Sequence, residues 1–271
     1  METNVKNISE FDENIVWRNK NMAESNNDPL TTKELYEKIY DKNIISDLRI
    51  KYEDKECVIF GVKRSHYKIK ISKQVTPDIA YLAGIIAGDG NFSCCKFNNR
   101  IYPRIRLRIT GGDITHLVLL NDIFIKNFGA GGNIHRRKGK NCYDLHNNHR
   151  VIWLYFRNVL GLDKRKLKVP EQIANEELFR FFLAGFFDTD GYCSRGIFGT
   201  MMSAKSSRFL CQMTSLAAKF YLFNFSPVKI NILHVKDKTF ERAYTALKKR
   251  DSKRFLELIP LRNKKYGPAR N

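Results

Sequence analysis

The sequence predicts an α+β protein with two copies of an αββαββα unit after a small N-terminal appendage. Two apolar segments align without gaps at an offset of 101 residues, with Leu82 opposite Leu183 and Asp89 opposite Asp190. The helix and strand patterns that follow each segment repeat in the same order. A repeat of about 100 residues is too long for a solenoid and indicates two fused, equivalent domains with pseudo-twofold symmetry.

Four regions are predicted along the chain. Residues 1–30 are rich in Asn, Glu and Asp without periodicity, and we expect a disordered tail. Residues 31–75 are predicted to form a small appendage of unknown role. It would contain a helix at Lys33–Tyr40 and strands at Leu48–Tyr52, Val58–Val62 and Tyr67–Ile71. The two halves of the repeat are residues 76–169 and 170–271.

The first half begins with a strong helix start. Thr76 is a capping residue, Pro77 suits the first helical position, and Asp78 favours the positive end of the helix dipole. The predicted order after Asp89 is strands Phe92–Phe97 and Arg104–Thr110, a helix from Asp113 to Phe128, strands Gly132–Arg136 and Cys142–Leu145, and a helix at Val151–Leu160.

The second half is predicted to open its helical region at Pro170-Glu171 and to end that helix at Asp190. The predicted order then continues with strands Tyr192–Ile197 and Gly199–Ser203, a helix at Ala204–Phe223, strands Val228–Val235 and Glu241–Leu247, and a helix at Ser252–Leu258.

The charge of the chain indicates a polyanionic partner. Its 271 residues include 48 Lys+Arg and 28 Asp+Glu, a net charge of +20. Residues 1–75 contain 14 Lys+Arg and 13 Asp+Glu, a net of +1, so the remaining residues carry a net of +19. Nucleic acid is the usual partner of such a surface, and an anionic membrane is a rarer one.

Cysteine usage and hydropathy exclude several classes of protein. The six cysteines form no CxxC pair and are spaced irregularly, which predicts an intracellular protein in a reducing compartment without a disulfide framework or structural zinc site. Cys142, His146 and His149 have a weakly ligand-like spacing, but a surface loop is the simpler interpretation. No apolar stretch approaches the length of a membrane span, and residues 1–20 lack the apolar core of a signal peptide.

The two repeated segments carry the chemistry. Small residues four apart, at Gly84 and Gly88 in the first copy, would let two helices approach closely. Asp89 and Asp190 would then meet where helix dipoles disfavour a carboxylate, so the pair needs a cation, and oxygen ligands suit Mg²⁺. The alternative is that both are ordinary helix-end acids before the cap glycines Gly90 and Gly191. Two gapless copies favour the metal site.

The segments LAGIIAGDG and FLAGFFDTDG resemble the paired motifs of the LAGLIDADG homing endonucleases, in their single-chain, two-motif form, over residues 76–271. The resemblance implies that the motif helices form a central interface and that saddle-shaped antiparallel sheets contact the DNA major groove. It implies that Asp89 and Asp190 bind Mg²⁺ or another divalent cation such as Mn²⁺, helped by the carbonyl groups of Gly88 and Thr189. Both DNA strands would be cut across the minor groove with short 3′ overhangs.

The family also uses a strand residue and a lysine in each half. In the first half these fall at Arg108 and at Lys166, with Lys164 as a neighbour, although Lys164–Lys168 also suits a solvated basic turn. In the second half the lysine would be Lys265 or Lys264. The strand position falls near Met201 or Met202, which is apolar, and this departure indicates asymmetric catalysis, a preference for nicking, or a shifted alignment.

Strand alternation places Arg104, Arg106 and Arg108 on one face of a strand, where they could read bases or contact phosphates. Further DNA-binding candidates are basic residues of the other strands and loops: Arg100, Arg136, Arg137, Lys138, Lys140, Arg195, Lys205, Lys229, Lys236 and Lys238.

The leading hypothesis is therefore a monomeric, Mg²⁺-dependent endonuclease acting on double-stranded DNA at a long asymmetric site. The alternatives are a maturase that binds intron RNA and a catalytically silent DNA-binding regulator on the same scaffold. An intein is a third possibility, but Met1 is not a splicing nucleophile and Arg270-Asn271 lacks the expected histidine.

Overall fold

The helices and strands follow the order αββαββα twice, after an appendage, in a computed structural model that describes residues 5–6, 28–62, 66–95, 103–163, 166–193, 200–235 and 238–262. Strand β1 (Val5–Lys6) precedes the appendage, which consists of α1 (Thr32–Ile39), β2 (Leu48–Glu53), β3 (Cys57–Val62) and β4 (Lys68–Ser72).

The first unit comprises α2 (Pro77–Asp89), β5 (Gly90–Cys95), β6 (Arg104–Gly111), α3 (Ile114–Phe128), β7 (Asn133–Arg136), β8 (Tyr143–Asn147) and α4 (Arg150–Leu154). The second unit comprises α5 (Glu176–Asp190), β9 (Gly191–Cys193), β10 (Thr200–Ala204), α6 (Ser207–Tyr221), β11 (Lys229–Val235), β12 (Lys238–Ala246) and α7 (Lys249–Leu258). The α+β class with antiparallel sheets is thus confirmed.

Helices α2 and α5 pack backbone to backbone. A Cβ atom built on Gly84 would lie 2.0 Å from the carbonyl oxygen of Phe182, and one built on Gly185 would lie 2.1 Å from that of Tyr81. Any side chain at either glycine would force the helices apart. The small-residue spacing in the sequence correctly predicted this close approach.

The two larger sheets have the same strand order. The first runs β5-β6-β8-β7, and the second runs β9-β10-β12-β11, with β1 paired at its edge. Val5 and Lys6 lie within the expected disordered tail, yet they pair antiparallel with Asn231 and Ile230 and so cover the edge of β11.

Strand β6 shows how each sheet divides its side chains. Ile105, Leu107 and Ile109 are buried in the hydrophobic core, whereas Arg104 and Arg106 project from the opposite face. This alternation follows the pattern predicted from the sequence.

The appendage packs on the first unit through one face of its three-stranded sheet. Phe60, Ile69 and Ile71 are buried in the same core as the helices of the first unit. Asn158 donates a hydrogen bond to the carbonyl oxygen of Lys38 in α1 at 3.1 Å, and Tyr67 contacts the ring of His149 edge-on.

The ends of several helices differ from those predicted, most clearly in two places. Pro170-Glu171 does not open the motif helix, because a 3₁₀ turn at Glu171–Ile173 comes first and the Asn175 side chain caps α5. The helix expected over residues 151–160 is α-helical only to Leu154 and continues as a π-helical turn over Tyr155–Val159. No helix among the described residues is long and apolar enough to cross a membrane.

Candidate active site

The two motif acids lie at the same end of the α2–α5 pair. Asp89 is the last residue of α2 and Asp190 is the last residue of α5. A Cβ atom built on Gly88 would lie 3.1 Å from a carboxylate oxygen of Asp190 and 1.9 Å from the Thr189 hydroxyl oxygen. The Asp190 carboxylate therefore lies against the backbone that leads into Asp89.

The glycines after the acids do not act as left-handed helix caps. Gly90 has φ −67° and ψ 146°, and Gly191 has φ −89° and ψ 157°, so both adopt extended backbone and begin strands. A Cβ atom at either position would lie 2.4 Å from the carbonyl oxygen four residues earlier in its helix. Glycine is needed because the chain turns from helix to strand at close range, which holds each acid at the base of a sheet.

Arg242, on β12, binds Asp190. Its guanidinium donates to the Asp190 carboxylate at 2.8 Å and, through Nε, to the Ser203 hydroxyl at 3.0 Å. The side chain of Asp190 is 20% exposed and that of Arg242 is 51% exposed. Sequence reasoning missed this contact, because Arg242 is separated from Asp190 by 52 residues and only the strand register brings them together.

Asp89 borders an open cleft of about 620 Å³. The polar groups that line the cleft come from both motif helices, β6, the start of α3 and the chain before β8: Asp89, Asp188, Thr189, Thr110, Asp113, His116 and Cys142. The cleft gives the first acid access to solvent and to a ligand.

Asp188, two residues before the motif acid, has a structural role that the sequence analysis did not identify. It is buried and accepts hydrogen bonds from the Tyr81 hydroxyl at 2.6 Å and from the backbone N–H of Arg262 at 2.8 Å. Burial, together with the charge of Asp188, raises the pKa of Tyr81 well above its usual value, so the phenol stays a donor. A carboxylate within an apolar helix is the signal that could have indicated this contact.

Arg104, Arg106 and Arg108 form a polar face on β6, the strand that pairs with β5 directly after Asp89. Among the described residues, the Nε atoms of Arg106 and Arg108 are buried without a hydrogen-bond partner. Burial, and then the charge of Arg106, lower the pKa of His146 on the neighbouring strand. Crowded guanidinium groups with unsatisfied donors are suited to an anionic ligand.

Arg137 already has an acidic partner. It lies 3.5 Å from the carboxylate of Asp144, which also accepts a hydrogen bond from the Thr110 hydroxyl at 2.6 Å. Arg137 is therefore anchored to the sheet as well as available to a ligand.

The remaining predicted basic residues fall into three groups. Exposed side chains belong to Arg136, Lys138, Lys140, Lys166 and Lys205, and that of Lys229 is partly exposed. Lys238 is the first residue of β12. Arg100, Lys164, Arg195, Lys236, Lys264 and Lys265 lie outside the described residues.

Of the first-half catalytic candidates, Arg108 lies on β6 and Lys166 lies in the chain after α4. The N–H of Lys166 donates to the carbonyl oxygen of Asp163, and Lys166 is not among the residues that line the Asp89 cleft. Arg108 pairs with Asn91 on β5 and with His146 on β8. In the second sheet Met201 pairs with Tyr192, as Arg108 pairs with Asn91, whereas Met202 is buried. The residue of the second unit that corresponds to Arg108 is therefore the apolar Met201.

The donor set at the acids fits a divalent cation. Two carboxylates and nearby backbone carbonyls offer hard oxygen ligands, and Mg²⁺ commonly takes one or two carboxylates together with waters and substrate phosphates. Cys142, His146 and His149 do not make a second site, because no group of three or more His, Cys, Asp or Glu within the described residues is arranged to hold a metal.

Comparisons with known proteins agree with this architecture. No protein-family model matches the chain. The isomerizing glutamine–fructose-6-phosphate aminotransferase of Methanocaldococcus jannaschii is 27% identical over 191 residues, which cover 65% of this chain and 16% of that protein. The chain therefore spans about one sixth of the length of this relative.

Among solved structures, the chain is similar to I-DmoI in complex with DNA and Mn, with a TM-score of 0.52 and 20% identity over 68% of this chain and 96% of that one. Mesophilic variants of the homing endonuclease I-DmoI match equally, at a TM-score of 0.52 and 20% identity over 68% and 94% of the two chains. The fold of this chain is therefore that of the LAGLIDADG homing endonucleases, as the two motif segments predicted.

Proposed function

We propose that this protein is a site-specific endonuclease that hydrolyses both strands of double-stranded DNA, using divalent metal held by Asp89 and Asp190. The proposal includes a monomer with a long asymmetric target and short 3′ overhangs, as the motif resemblance implies. The aminotransferase activity of the sequence relative is not proposed, because the similarity is confined to a small part of that enzyme.

One observation carries the proposal: both motif acids lie at one end of the paired helices, at the base of sheets of which one presents a row of arginines. Carboxylates beside a basic surface suit phosphodiester hydrolysis, because the arginines attract the backbone and the acids hold a cation next to it. The unsatisfied guanidinium donors of Arg106 and Arg108 support an anionic ligand on this face.

In this proposal the acids, the arginines and the lysines have different roles. Asp89 and Asp190 would hold the cation, with the carbonyl groups of Gly88 and Thr189 as further oxygen ligands. A bound divalent cation polarises a phosphate and lowers the pKa of water. Arg104, Arg106 and Arg108 would fix the register of the duplex, and Lys166 and Lys265 would act near the attacking water, as the resemblance implies.

The test begins with selection of a cleavable sequence from a randomised DNA library in Mg²⁺. Asp89→Asn and Asp190→Asn are each expected to slow cleavage of the selected duplex at least a hundredfold, about 2.7 kcal/mol of transition-state stabilisation. The matched control is Glu257→Gln, which removes an exposed carboxylate of α7 and should cleave at the rate of the unaltered protein. Gel-shift binding by the Asn variants should persist, and full cleavage by either Asn variant would contradict the assignment.

A catalytically silent nucleic-acid-binding role, as a regulator or an intron RNA maturase, is the second candidate. The ion pair between Asp190 and Arg242 favours it, because a scaffold without metal would need such a partner for this carboxylate. Tight DNA or RNA binding by a protein that cleaves no member of the library in Mg²⁺ or Mn²⁺ would favour this role over the endonuclease.

A further inference from the structure

The three-stranded sheet of the appendage has two unlike faces. Its inner face packs on the first unit through Phe60, Ile69 and Ile71, which are buried. The opposite face, which we call the outer face, bears the exposed side chains of Arg49, Lys51, Tyr52, Lys68 and Lys70. Apart from Tyr52 these side chains are cationic, and the proposed function assigns them no role.

The strand register brings the cations of the outer face together. Gly61 in the central strand β3 pairs with Arg49 of β2 on one side and with Lys68 of β4 on the other. A Cβ atom built on Gly61 would lie 2.9 Å from carbon atoms of the Lys51 side chain, so this lysine lies across the glycine. Lys70, two residues after Lys68, projects to the same face because strand side chains alternate.

A β-bulge keeps Glu53, the acid of β2, away from these cations. The register shifts between Ile50 and Tyr52, which makes Lys51 the extra residue. Without the bulge, alternation would place Glu53 on the outer face. With the bulge, Glu53 falls on the inner side and accepts a hydrogen bond from Lys73 at 2.9 Å. Within the part of the chain that the structure describes, the four outer-face cations form no ion pair with an acid.

The appendage lies beside the edge of the first sheet that is farthest from the acids. The strand order β5-β6-β8-β7 begins at the strand that follows Asp89 and ends at β7. A Cβ atom built on Gly129, which ends α3 before β7, would lie 3.7 Å from the carbonyl oxygen of Lys68 in β4. Residues of β4 and residues 129–133 also line one cleft of about 590 Å³. DNA that follows the first sheet away from the acids would therefore pass towards the appendage.

We propose that the outer face of the appendage binds phosphates of the same DNA duplex, where the duplex continues beyond β7. This inference rests on the DNA binding of the proposed function and not on cleavage. The spacings of neighbouring strands and of alternate residues spread the four cations over about 10 Å by 7 Å, room for about two phosphates. Tyr52 is 53% exposed but supplies a single ring, whereas a single strand stacks successive bases on several aromatic side chains. A duplex therefore fits this face better.

The experiment compares two full-length variants that each lose three exposed lysines of the appendage. The outer-face variant combines Lys51→Gln, Lys68→Gln and Lys70→Gln, and the matched control combines Lys33→Gln, Lys38→Gln and Lys42→Gln from α1 and the turn after it. Fluorescence anisotropy measures binding to a long random-sequence duplex in EDTA, which prevents cleavage, between about 50 and 200 mM salt. The outer-face variant should lower the slope of log affinity against log salt concentration by about 1.8, for two phosphates, and the control should leave it unchanged.

Two further measurements address folding and position. Replacing the same three outer-face lysines by arginine keeps the charge and should keep the slope. If the triple Gln variant does not fold, Lys70→Gln alone should lower the slope by about 0.9, for one phosphate. On the shortest duplex that the unaltered protein still binds, the outer-face variant and the control should have equal slopes, because such a duplex does not reach beyond β7.

The outcomes separate this inference from the proposed function. Equal slopes for the outer-face variant and the control on the long duplex overturn the inference, and they leave the endonuclease intact if the protein still cleaves its selected site. A lowered slope in a protein that cleaves nothing supports the outer face and contradicts the endonuclease. A larger loss of binding to single-stranded DNA than to the duplex overturns the choice of duplex. Lost binding to phosphatidylserine vesicles with an unchanged DNA slope makes the face a membrane-binding surface and also overturns the inference.

Discussion

At the scale of single residues, Asp78 joins three parts of the molecule. Its carboxylate accepts hydrogen bonds from Lys126 in α3 at 2.7 Å and from Arg262 after α7 at 2.9 Å, while Asp78 itself lies in the first turn of α2. Burial raises the pKa of Asp78, but the hydrogen bonds from both cations outweigh it and hold the pKa below its ordinary value of 3.8.

We expect Asp78→Asn to lower the free energy of unfolding by about 1–2 kcal/mol at pH 7. A carboxyl with a depressed folded-state pKa stabilises the fold above its unfolded pKa and loses that contribution as the pH falls through the folded value. The difference between the variant and the unaltered protein should therefore shrink below about pH 4. Urea unfolding at about pH 7 and about pH 3 measures this difference in the free energy of unfolding. Lys126→Gln, which removes the more exposed partner, should have the smaller effect, and an equal loss for Asp78→Asn at both pH values would contradict the ion pairs.

The role of a residue could be predicted from the sequence when it depends on neighbours within one helical turn. It could not be predicted when it depends on which residues of two strands are paired. Thr76, Pro77 and Asp78 were recognisable as a helix start because capping acts within one turn, and the Thr76 hydroxyl does accept the N–H of Ile79. Arg242 was not recognisable as a partner of Asp190, because a shift of one residue in the pairing of β12 would have turned its side chain to the core.

At the scale of elements, α2 and α5 cross with their backbones in close contact, and a substitution at Gly185 tests this packing. A Cβ atom there would lie 2.1 Å from the Tyr81 carbonyl oxygen and 2.9 Å from the Ile85 nitrogen, both backbone atoms that cannot move alone. Gly185→Ala should lower the free energy of unfolding by about 2–3 kcal/mol or more. The matched control is Gly112→Ala, where no atom lies within 4 Å of the added methyl group and the change should be close to neutral. Thermal and urea unfolding compare the two, and similar losses would exclude this packing.

The sequence predicted the presence of the helices and strands more accurately than their first and last residues. The alternation in β4 and β6 and the continuous apolar run of α2 depend on side-chain polarity, which can be read from the sequence. Both Pro170 and Asn175 are residues that commonly begin helices. In the structure Pro170 precedes a 3₁₀ turn, and α5 begins at Glu176 after Asn175. The pairing of β1 with β11 has no local signal, since it joins the first residues of the chain to a strand near its other end.

At the scale of the whole molecule, the effect of the net charge of +20 on DNA binding depends on where the basic side chains lie. Arginines align on one face of β6, and Arg106 and Arg108 retain unsatisfied donors there, so this face should bind phosphates. Other cations are engaged within the fold, as Arg262 is with Asp78. The net charge does not distinguish cations that bind DNA from cations that are paired within the fold. The salt dependence of DNA binding distinguishes them, because each phosphate that the protein neutralises releases counterions.

Arg104→Gln, Arg106→Gln and Arg108→Gln should each reduce the slope of log affinity for duplex DNA against log salt concentration, by about 0.9 for every phosphate that the variant no longer neutralises. The slope is measured by fluorescence anisotropy between about 50 and 200 mM salt, the range over which binding to phosphates weakens steeply. Lys33→Gln is the matched control, because Lys33 is an exposed cation of α1 paired only weakly with Glu37, and its removal should leave the slope unchanged. Equal reductions in the control and in the arginine variants would mean that DNA responds to overall charge, and the arginine face would then have no special part in binding.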